Sequence, residues 1–173
     1  MRVHFDTSAT PIGRVRFAVR EDHGPSLCLF GFSDGWEELV RYLRTRFEDP
    51  DLVRGGAPRE FHRAIEAYFE GECRALESLP VDPGGTPFQA KVWAALRKIP
   101  VGKTISYGEL ARRIGRPGAS RAVGAANGAN PIALVIPCHR VIASDGTLGG
   151  YGGGLPRKEW LLVHEGAIQP RLV

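Results

Sequence analysis

The sequence lacks the marks of a membrane or secreted protein. None of its hydrophobic runs reaches the length of about 20 residues that a membrane-spanning helix requires. The opening residues, MRVHFDTSATPIG, lack the apolar core of a signal peptide. Cysteine is scarce: Cys28, Cys73 and Cys138 are odd in number and widely spaced, which excludes a disulfide framework. We therefore expect a cytoplasmic protein with no membrane partner.

Acidic residues are scarce in the second half of the chain. Residues 85–173 contain 12 basic and 4 acidic residues, a net charge of +8, whereas residues 1–84 contain 11 basic and 15 acidic residues, a net charge of −4. A basic half with few acids suits a polyanionic partner, and nucleic acid is the commonest. A basic surface that serves only solubility would give the same counts, so charge alone leaves both interpretations open.

The change in net charge coincides with a stretch whose composition is typical of a linker. The stretch LPVDPGGTPFQ, residues 79–89, contains three prolines and two glycines, which is typical of a boundary. It predicts an N-terminal α/β domain over residues 1–84 and a second domain over residues 85–173. In the first half, the runs RVHFDT, GRVRFAVRE and SLCLFGF predict a small antiparallel sheet.

Helical patterns follow on both sides of this boundary. SDGWEELVRYLRTRF predicts a helix that Ser33 or Asp34 can cap, and APREFHRAIEAYFEG predicts another that ends at Gly71. TPFQAKVWAALRKIPVGK and LPRKEWLLVHEG predict two more in the second half.

Two further short helices, over residues 107–114 and 120–128, are joined by the glycine-containing turn GRPGAS. Such a pair in a basic segment indicates a helix-turn-helix. The second helix, SRAVGAANG, carries Arg121 and otherwise small residues, whereas a helix that reads the major groove normally carries Asn, Gln, Arg and Lys. The small side chains permit either a close approach to a ligand or tight packing against another helix.

Candidate chemistry lies in NPIALVIPCHRVIASDG, where Cys138 and His139 follow Pro137. A nucleophilic thiol needs a base that takes its proton and a carboxylate that orients the base. The second half offers four acidic residues: Glu109, Asp145, Glu159 and Glu165. We select Glu165, at the end of the last predicted helix. A purely structural Cys-His pair remains an alternative, and the adjacent pair lacks the spacing of zinc ligands.

The stretch NPIALVIPCHRVIASDGTLGGYGGGLPRKEWLLVHEG closely resembles the active-site region of the O6-alkylguanine-DNA alkyltransferases, also called methylated-DNA–protein-cysteine methyltransferases. PCHRV is its most specific part, and TPFQAKVWAALRKIPVGKTISYGELA before it extends the resemblance over nearly all of residues 85–167. The resemblance implies an α+β fold. Its expected parts are a ribonuclease H-like N-terminal domain with a small antiparallel sheet and a mostly helical C-terminal domain with a winged helix-turn-helix.

The resemblance also implies a reaction. Members of this family bind double-stranded DNA that carries alkylated guanine, dock in its minor groove and flip the damaged base into a pocket. A cysteine then takes the alkyl group irreversibly, so each molecule acts once, as a monomer and without a cofactor. O4-alkylthymine is a second candidate lesion. A narrow groove suits a small-sided helix, and a guanidinium can stack in the place that a flipped base vacates.

Residue roles follow by position from the resemblance. Cys138 matches the nucleophile, His139 the base that acts through a water, and Glu165 the carboxylate behind it. Asn130 matches the residue that ties the helix-turn-helix to the active-site strand, and Tyr107 the tyrosine that serves the flipped base. The expected DNA contacts are Ser120, Arg121, Ala122, Ala126 and Gly128. The expected base pocket consists of Tyr107, Val141, Tyr151, Gly152 and Gly153.

Two departures from the family limit what is carried over. Gly152 stands where some members have a serine, so a hydrogen bond there must come from backbone. Some members bind zinc in the first domain, but the cysteines and histidines here match no zinc spacing, and we predict no metal.

Two other functions compete with alkyl transfer. A non-catalytic, lesion-binding alkyltransferase-like module would lack the cysteine, so the presence of Cys138 argues against it. A cysteine hydrolase that turns over would need an intermediate that water can break and an oxyanion hole.

Overall fold

The computed structural model describes residues 1–171, which form two compact units. The first unit comprises Met1–Gly84 together with Pro131–Val135, and the second comprises Gly85–Asn130 and the described residues from Ile136 onward. Backbone hydrogen bonds attach the short segment to the first unit: the Phe30 amide donates to the Pro131 carbonyl, and the Ala133 amide donates to the Phe30 carbonyl, both at 2.9 Å. The first unit therefore includes five residues that lie beyond the linker in sequence.

The first unit is built on a four-stranded sheet in the order β3-β2-β1-β4. Its strands are β1 (Arg2–Thr10), β2 (Gly13–Arg20), β3 (Ser26–Phe32) and β4 (Asp51–Arg54). The antiparallel pairing predicted for the first three strands is present, but β4 pairs with β1 in parallel. The expectation of a purely antiparallel sheet is therefore wrong at this edge. Helix α1 (Trp36–Arg46) separates β3 from β4, and such a crossover lets two strands run in the same direction.

Helices cover the sheet as the hydrophobic periodicity indicates. Trp36 and Leu43 of α1 join a core that also contains Val3, Ala18, Cys28 and Leu29. Helix α2 (Arg59–Phe69) buries its apolar face, and Gly71 follows it at a φ of 113°, a conformation that favours glycine.

The start of α1 differs from the sequence prediction. A 3-10 turn over Ser33–Gly35 precedes the helix, and neither Ser33 nor Asp34 caps it; Gly35 occupies the cap position without a side-chain hydrogen bond. The Ser33 hydroxyl donates to the Arg14 carbonyl at 3.0 Å. The Ser33 hydroxyl, which the sequence pattern predicted to cap the helix, is thus hydrogen-bonded to strand β2 instead.

The second unit is mostly helical, as predicted. It contains α3 (Pro87–Leu96), α4 (Tyr107–Arg113), α5 (Ser120–Gly128) and α6 (Leu155–His164), with the two-residue strands β5 (Ile105–Ser106) and β6 (Val141–Ile142) paired in parallel. The α4–α5 pair has the bounds predicted for the two helices to within one residue. The winged form of this motif and the ribonuclease H-like form of the first unit stay predictions.

Helix α3 packs against the α4–α5 pair. It begins with a reciprocal capping box between Thr86 and Gln89, and its buried face includes Trp93. The Trp93 indole N–H donates to the Ala126 carbonyl of α5 at 2.8 Å, which fixes α5 against α3. Among residues 1–171, no helix combines the length and apolar character that a membrane crossing requires.

Candidate active site

Cys138 opens a 3-10 turn, Cys138–Arg140, between Pro137 and β6. The residue is 7% exposed. Burial raises the pKa of its thiol, while the Asn130 side chain, the charge of Lys158 and nearby backbone amides act in the opposite direction. The thiol is therefore protonated in the resting protein, and formation of a thiolate requires a group that takes the proton.

Asn130 holds the turn in place from the end of the helix pair. Its side-chain amide donates to the Ile136 carbonyl at 2.8 Å, and the Cys138 amide donates to that same carbonyl at 2.8 Å. The Ile136 carbonyl thus accepts hydrogen bonds from both the Asn130 side chain and the Cys138 backbone amide. This contact joins the end of the α4–α5 pair to the turn that contains Cys138.

A buried charge cluster lies directly behind the turn. His139 Nε2 is 2.9 Å from Glu165 Oε1, and Arg140 binds the two carboxylate oxygens of Glu165 through Nε and Nη2, each at 2.9 Å. Arg140 Nη1 also donates to the Ile99 carbonyl at 2.7 Å. Burial alone would raise the pKa of Glu165, but the hydrogen bonds and charges of His139 and Arg140 outweigh it and hold this pKa at about 2. Glu165 is therefore ionised at neutral pH.

The ionised carboxylate selects the tautomer of His139. Because a carboxylate only accepts hydrogen bonds, the neutral imidazole must carry its proton on Nε2 and present a lone pair at Nδ1. Nδ1 is buried and, within residues 1–171, has no protein hydrogen-bond partner. A buried base with one free lone pair, adjacent in sequence to a buried thiol, is suited to accept the proton of that thiol.

Two tyrosines lie within electrostatic reach of Cys138. Burial raises the pKa of Tyr107, and the charge of a Cys138 thiolate raises it further. Burial and the same thiolate charge raise the pKa of Tyr151 well above its usual value. The Tyr151 hydroxyl is buried and has no hydrogen-bond partner within the described chain. Both hydroxyls therefore stay protonated and can act only as donors toward a developing negative charge.

A glycine-rich loop, TLGGYGGG over residues 147–154, lies against Tyr107. A Cβ atom at Gly149 would lie 3.4 Å from the Tyr107 hydroxyl, and one at Gly124 of α5 would lie 3.8 Å from its ring. Of the other expected pocket residues, Val141 is buried, Gly153 is half-buried and Gly152 is exposed. The structure thus brings Tyr107, the loop and α5 together.

The expected DNA-contacting residues on α5 differ in exposure. Arg121, Ala122 and Gly128 are exposed, and Ser120 is half-buried. Ala126 is only 3% exposed because it packs toward α3, where its carbonyl accepts a hydrogen bond from the Trp93 indole N–H. The structure therefore does not place Ala126 on the surface that would face DNA. Ala125, which the sequence interpretation did not select, is also exposed on this helix.

Sequence reasoning missed three further residues of the site. Arg140 clamps Glu165, and its position beside His139 in PCHRV was the available signal. Asn127 is buried, and its side-chain amide donates to the Cys138 carbonyl at 3.4 Å. Lys158 is fully buried and donates to backbone carbonyls around β6. Nothing local in LPRKEW distinguishes it from an exposed helical lysine.

Basic residues also occur outside α5. Lys91 and Arg116, both exposed, line a surface pocket with Thr86, Pro87 and Phe88. Such cations beside a helix pair would add favourable contacts to a polyanion. Within residues 1–171, no group of three or more His, Cys, Asp or Glu side chains is placed to hold a metal ion.

Comparison with known proteins gives this geometry a context. The family described as "6-O-methylguanine DNA methyltransferase, DNA binding domain" matches residues 87–167. A methylated-DNA–protein-cysteine methyltransferase of Salmonella typhimurium is 51% identical over 137 residues, covering 79% of this chain and 80% of that protein. One from Mycobacterium tuberculosis is 43% identical over 169 residues, covering 97% and 95%.

Solved structures that are similar to this chain come from the same family as these relatives. The crystal structure of Mycobacterium tuberculosis O6-methylguanine methyltransferase matches with a TM-score of 0.77 at 41% identity, over 97% of this chain and 95% of that chain. The structure of Mycobacterium tuberculosis OGT in complex with DNA matches with a TM-score of 0.77 at 40% identity, over 95% and 93%. These likenesses span both units, and the chain belongs to the methylated-DNA–protein-cysteine methyltransferase family.

Proposed function

We propose that this chain repairs DNA by transferring an alkyl group from the O6 atom of guanine to its own Cys138, once per molecule. The relatives are named for transfer from methylated DNA to a protein cysteine. The observation that carries the assignment to Cys138 is the cluster behind it. An ionised Glu165 lies 2.9 Å from His139 Nε2, which directs the free lone pair of the imidazole to Nδ1.

The transfer begins with a proton. His139 Nδ1 takes the Cys138 proton through a bridging water, which leaves a thiolate in a site whose burial disfavours charge. A buried thiolate is poorly solvated, and its return to a neutral form by reaction is therefore favourable. Glu165 holds the imidazole in place and supports the imidazolium that forms.

The thiolate then attacks the alkyl carbon in line with the bond to guanine O6. The S–C bond forms as the C–O6 bond breaks, and guanine departs as an anion that must gain one proton. The Tyr107 hydroxyl is the proposed donor because its raised pKa keeps it protonated at neutral pH. The His139 imidazolium then gives up the proton taken from sulfur, which restores the Tyr107 hydroxyl through solvent, so the overall count of protons is unchanged.

The product explains why each molecule acts once. A thioether has no carbonyl for water to attack, so the S–C bond persists, whereas a cysteine hydrolase passes through a thioester that water breaks. The lesion-binding alternative without chemistry is not favoured, because it leaves the buried arrangement of Cys138, His139 and Glu165 without a purpose.

The partner in this proposal is double-stranded DNA that carries alkylated guanine. Exposed small residues on α5, with Arg121 at its start, suit a narrow minor groove, and the guanidinium would fill the space left by the flipped base. Flipping costs a few kcal/mol, least for a poorly paired base, so O6-alkylation aids selection before the pocket is reached. The proposal includes action as a monomer in the cytoplasm, where thiols stay reduced.

Intact mass tests the acceptor directly. The protein is mixed with a duplex that contains O6-methylguanine, and we expect a stable gain of one methyl group that Cys138→Ser abolishes. Cys73→Ser is the matched control, since it removes a thiol that lies in the other unit, and this variant should be methylated normally. Methylation of the Cys138→Ser protein, or repeated turnover by the unmodified protein, would refute the proposal.

A further inference from the structure

Asn127 is a buried polar residue of α5 to which the proposed reaction gives no role. It is 6% exposed and lies on the inner side of the helix with Val123 and Ala126, which are buried and apolar. Asparagine is mostly an exposed residue, because burial of an amide that lacks partners costs free energy. A buried amide among apolar neighbours on this helix therefore requires a structural or chemical reason.

The side chain of Asn127 contacts the active-site turn through one of its two polar atoms. Nδ2 donates to the Cys138 carbonyl at 3.4 Å, which is a long hydrogen bond. Because a carbonyl only accepts hydrogen bonds, the nitrogen of the amide must face it, and this assigns Oδ1 to the other side. Oδ1 is buried and has no hydrogen-bond partner within residues 1–171. The contact thus keeps an unused acceptor close to the peptide bond between Cys138 and His139.

Buried side-chain atoms without a protein partner are concentrated around Cys138. In the part of the chain that the structure describes, they are Arg16 Nε, Asn127 Oδ1, His139 Nδ1 and the Tyr151 hydroxyl. Arg16 lies on β2 in the other unit. The remaining three belong to the residue that contacts the Cys138 carbonyl, to the residue that follows Cys138, and to a tyrosine whose pKa a Cys138 thiolate raises. Nearly all buried polar groups have a partner, and buried water is a common one.

A single water molecule matches the hydrogen-bonding capacity of these groups. Asn127 Oδ1 can only accept a hydrogen bond, and His139 Nδ1 presents a lone pair because Nε2 faces Glu165. A water that donates one hydrogen to each of these two acceptors keeps a lone pair for the S–H group of Cys138. The water then makes about three hydrogen bonds, which is typical of a water inside a protein.

We propose that Asn127 is a positioning residue for alkyl transfer, whose Oδ1 holds the water that passes the Cys138 proton to His139 Nδ1. This inference rests on the proposed function. In the step, the S–H bond breaks as its proton joins the water, while the water gives the proton that faces Nδ1 to the imidazole. The O–H bond that faces Asn127 stays intact. The products are a thiolate, an imidazolium and the same water, so atoms and charges balance.

This role differs from a purely structural one in the property of Cys138 that it controls. If Asn127 holds the water, its loss raises the apparent pKa of the thiol, and the thiolate, once formed at high pH, reacts as before. If Asn127 only supports the turn, its loss misplaces the sulfur and lowers the reactivity of the thiolate itself. The apparent pKa and the limiting rate at high pH therefore separate the two roles.

Other ionisable groups near the sulfur do not disturb this comparison. They come from α4, the glycine-rich loop, α6 and the active-site turn, and they belong to Tyr107, Tyr151, Lys158, Glu165 and Arg140. All of them are retained when only Asn127 is replaced. Differences in the pH profile between the variant and the unmodified protein therefore report on Asn127.

The first test measures iodoacetamide labelling of Cys138 as a function of pH, without DNA or an alkyl donor. Asn127→Leu removes both polar atoms at similar size, and the matched control Val123→Ala alters the same buried side of α5 without removing a hydrogen-bonding side chain. We expect Asn127→Leu to raise the apparent thiol pKa by about one unit and to lower labelling at neutral pH about tenfold. Its limiting rate at high pH should equal that of the unmodified protein, and Val123→Ala should keep the unmodified pKa.

Three outcomes of this test would overturn the inference. They are an unchanged apparent pKa in folded Asn127→Leu, a lower limiting rate without a shift in the pKa, and an equal shift in Val123→Ala. The last of these would assign the effect to packing of α5.

A double-mutant cycle with His139→Ala connects the effect to the base. Without the imidazole, the water has no group to which it can pass the proton. Asn127→Leu should then cause no further rise in the apparent thiol pKa of the His139→Ala protein. A shift of the same size in both backgrounds would show that Asn127 acts independently of His139, and the inference would fail.

A second test uses the unmodified protein and does not depend on how the variants fold. In a high-resolution crystal structure, we expect an ordered water within about 3.2 Å of both Asn127 Oδ1 and His139 Nδ1. Direct contact of Oδ1 with a protein donor, or the lack of a water shared by these two atoms, would overturn the inference. A failure to methylate Cys138 would instead refute the proposed function, while the water and the labelling profile would still report on Asn127.

Discussion

Replacement of Glu165 by glutamine tests the cluster that supports the nucleophile. The side chain is completely buried and receives hydrogen bonds from Arg140 through both oxygens, with His139 2.9 Å from one of them. Glutamine preserves the shape but removes the charge and adds an N–H₂ group where two donors already converge. Either His139 or Arg140 must then lose its acceptor.

The pKa of Glu165 gives the size of the stability effect. Its value of about 2 lies below the ordinary 4.5, and at 1.36 kcal/mol per pKa unit the folded state gains about 3 kcal/mol from this ionisation at neutral pH. A similar loss, about 3–5 kcal/mol, is typical when one partner of a buried ion pair is removed. We therefore expect Glu165→Gln to lower the free energy of unfolding at pH 7 by about 3 kcal/mol.

The sign of the pH dependence follows from the lowered pKa. Because the carboxyl is more acidic in the folded state, its contribution is fully present above the unfolded pKa near 4.5 and is lost as the pH falls toward about 2. The difference between the unmodified protein and Glu165→Gln should be constant from neutral pH down to about pH 5 and should shrink in more acidic solution.

Urea unfolding at a series of pH values measures this difference. Glu159→Gln is the matched control, since Glu159 lies on the same helix but forms an ion pair with the largely exposed Arg171, and it should change stability by less than about 1 kcal/mol. Transfer to Cys138 should also fall in Glu165→Gln, by about 100-fold or more, because the imidazole loses its fixed tautomer. Equal stability of Glu165→Gln and the unmodified protein at pH 7, or a difference that does not shrink in acid, would refute the reasoning.

Three further predictions concern the nucleophile, its base and DNA. Cys138→Ser should bind alkylated duplex with nearly unchanged affinity, as measured by fluorescence anisotropy, because most affinity comes from phosphate contacts; a large loss of binding would contradict this. His139→Ala should raise the apparent thiol pKa in iodoacetamide labelling, and a profile identical to that of the unmodified protein would remove His139 as the base. Arg121→Ala should react normally with free O6-benzylguanine but slowly with saturating duplex, since only the duplex requires flipping. A normal rate on saturated duplex, with a salt dependence reduced by about one phosphate contact, would show instead that Arg121 only binds the backbone.

Local patterns in the sequence were enough for most of the helices and, together with the family resemblance, for the choice of Cys138, His139 and Glu165 as candidate reacting groups. The small-residue run beginning at Ser120 predicted the bounds of α5, and the segment APREFHRAIEAYFEG predicted α2. The scarcity of acids in the second half reduced the choice of carboxylate to four residues, of which Glu165 lies beside His139. Periodicity and composition are properties of neighbouring residues, so these features could be derived without tertiary contacts.

Contacts between distant residues decided the rest. The parallel pairing of β4 with β1, and the attachment of Pro131–Val135 to β3, depend on segments about 50 and 100 residues apart in the chain. No local signal marks a four-residue edge strand or a five-residue return to an earlier sheet. The same holds for Ala126, which looks like a groove-facing alanine in sequence but is buried by Trp93.

The electrostatics of the site are likewise a product of the tertiary structure. Arg140 reaches Glu165 and the Ile99 carbonyl. Lys158 donates to the carbonyls of Val141 in β6 and of Leu148 and Gly150 in the loop that follows β6. In sequence both are ordinary basic residues. Burial gives these two residues their effect. Removal from water strengthens each hydrogen bond and each electrostatic interaction, and it raises the free energy of any buried polar group that lacks a partner. The sequence alone thus suggested a thiol, an imidazole and a carboxylate, and the folded chain placed the imidazole Nε2 2.9 Å from a carboxylate oxygen and kept that carboxylate ionised.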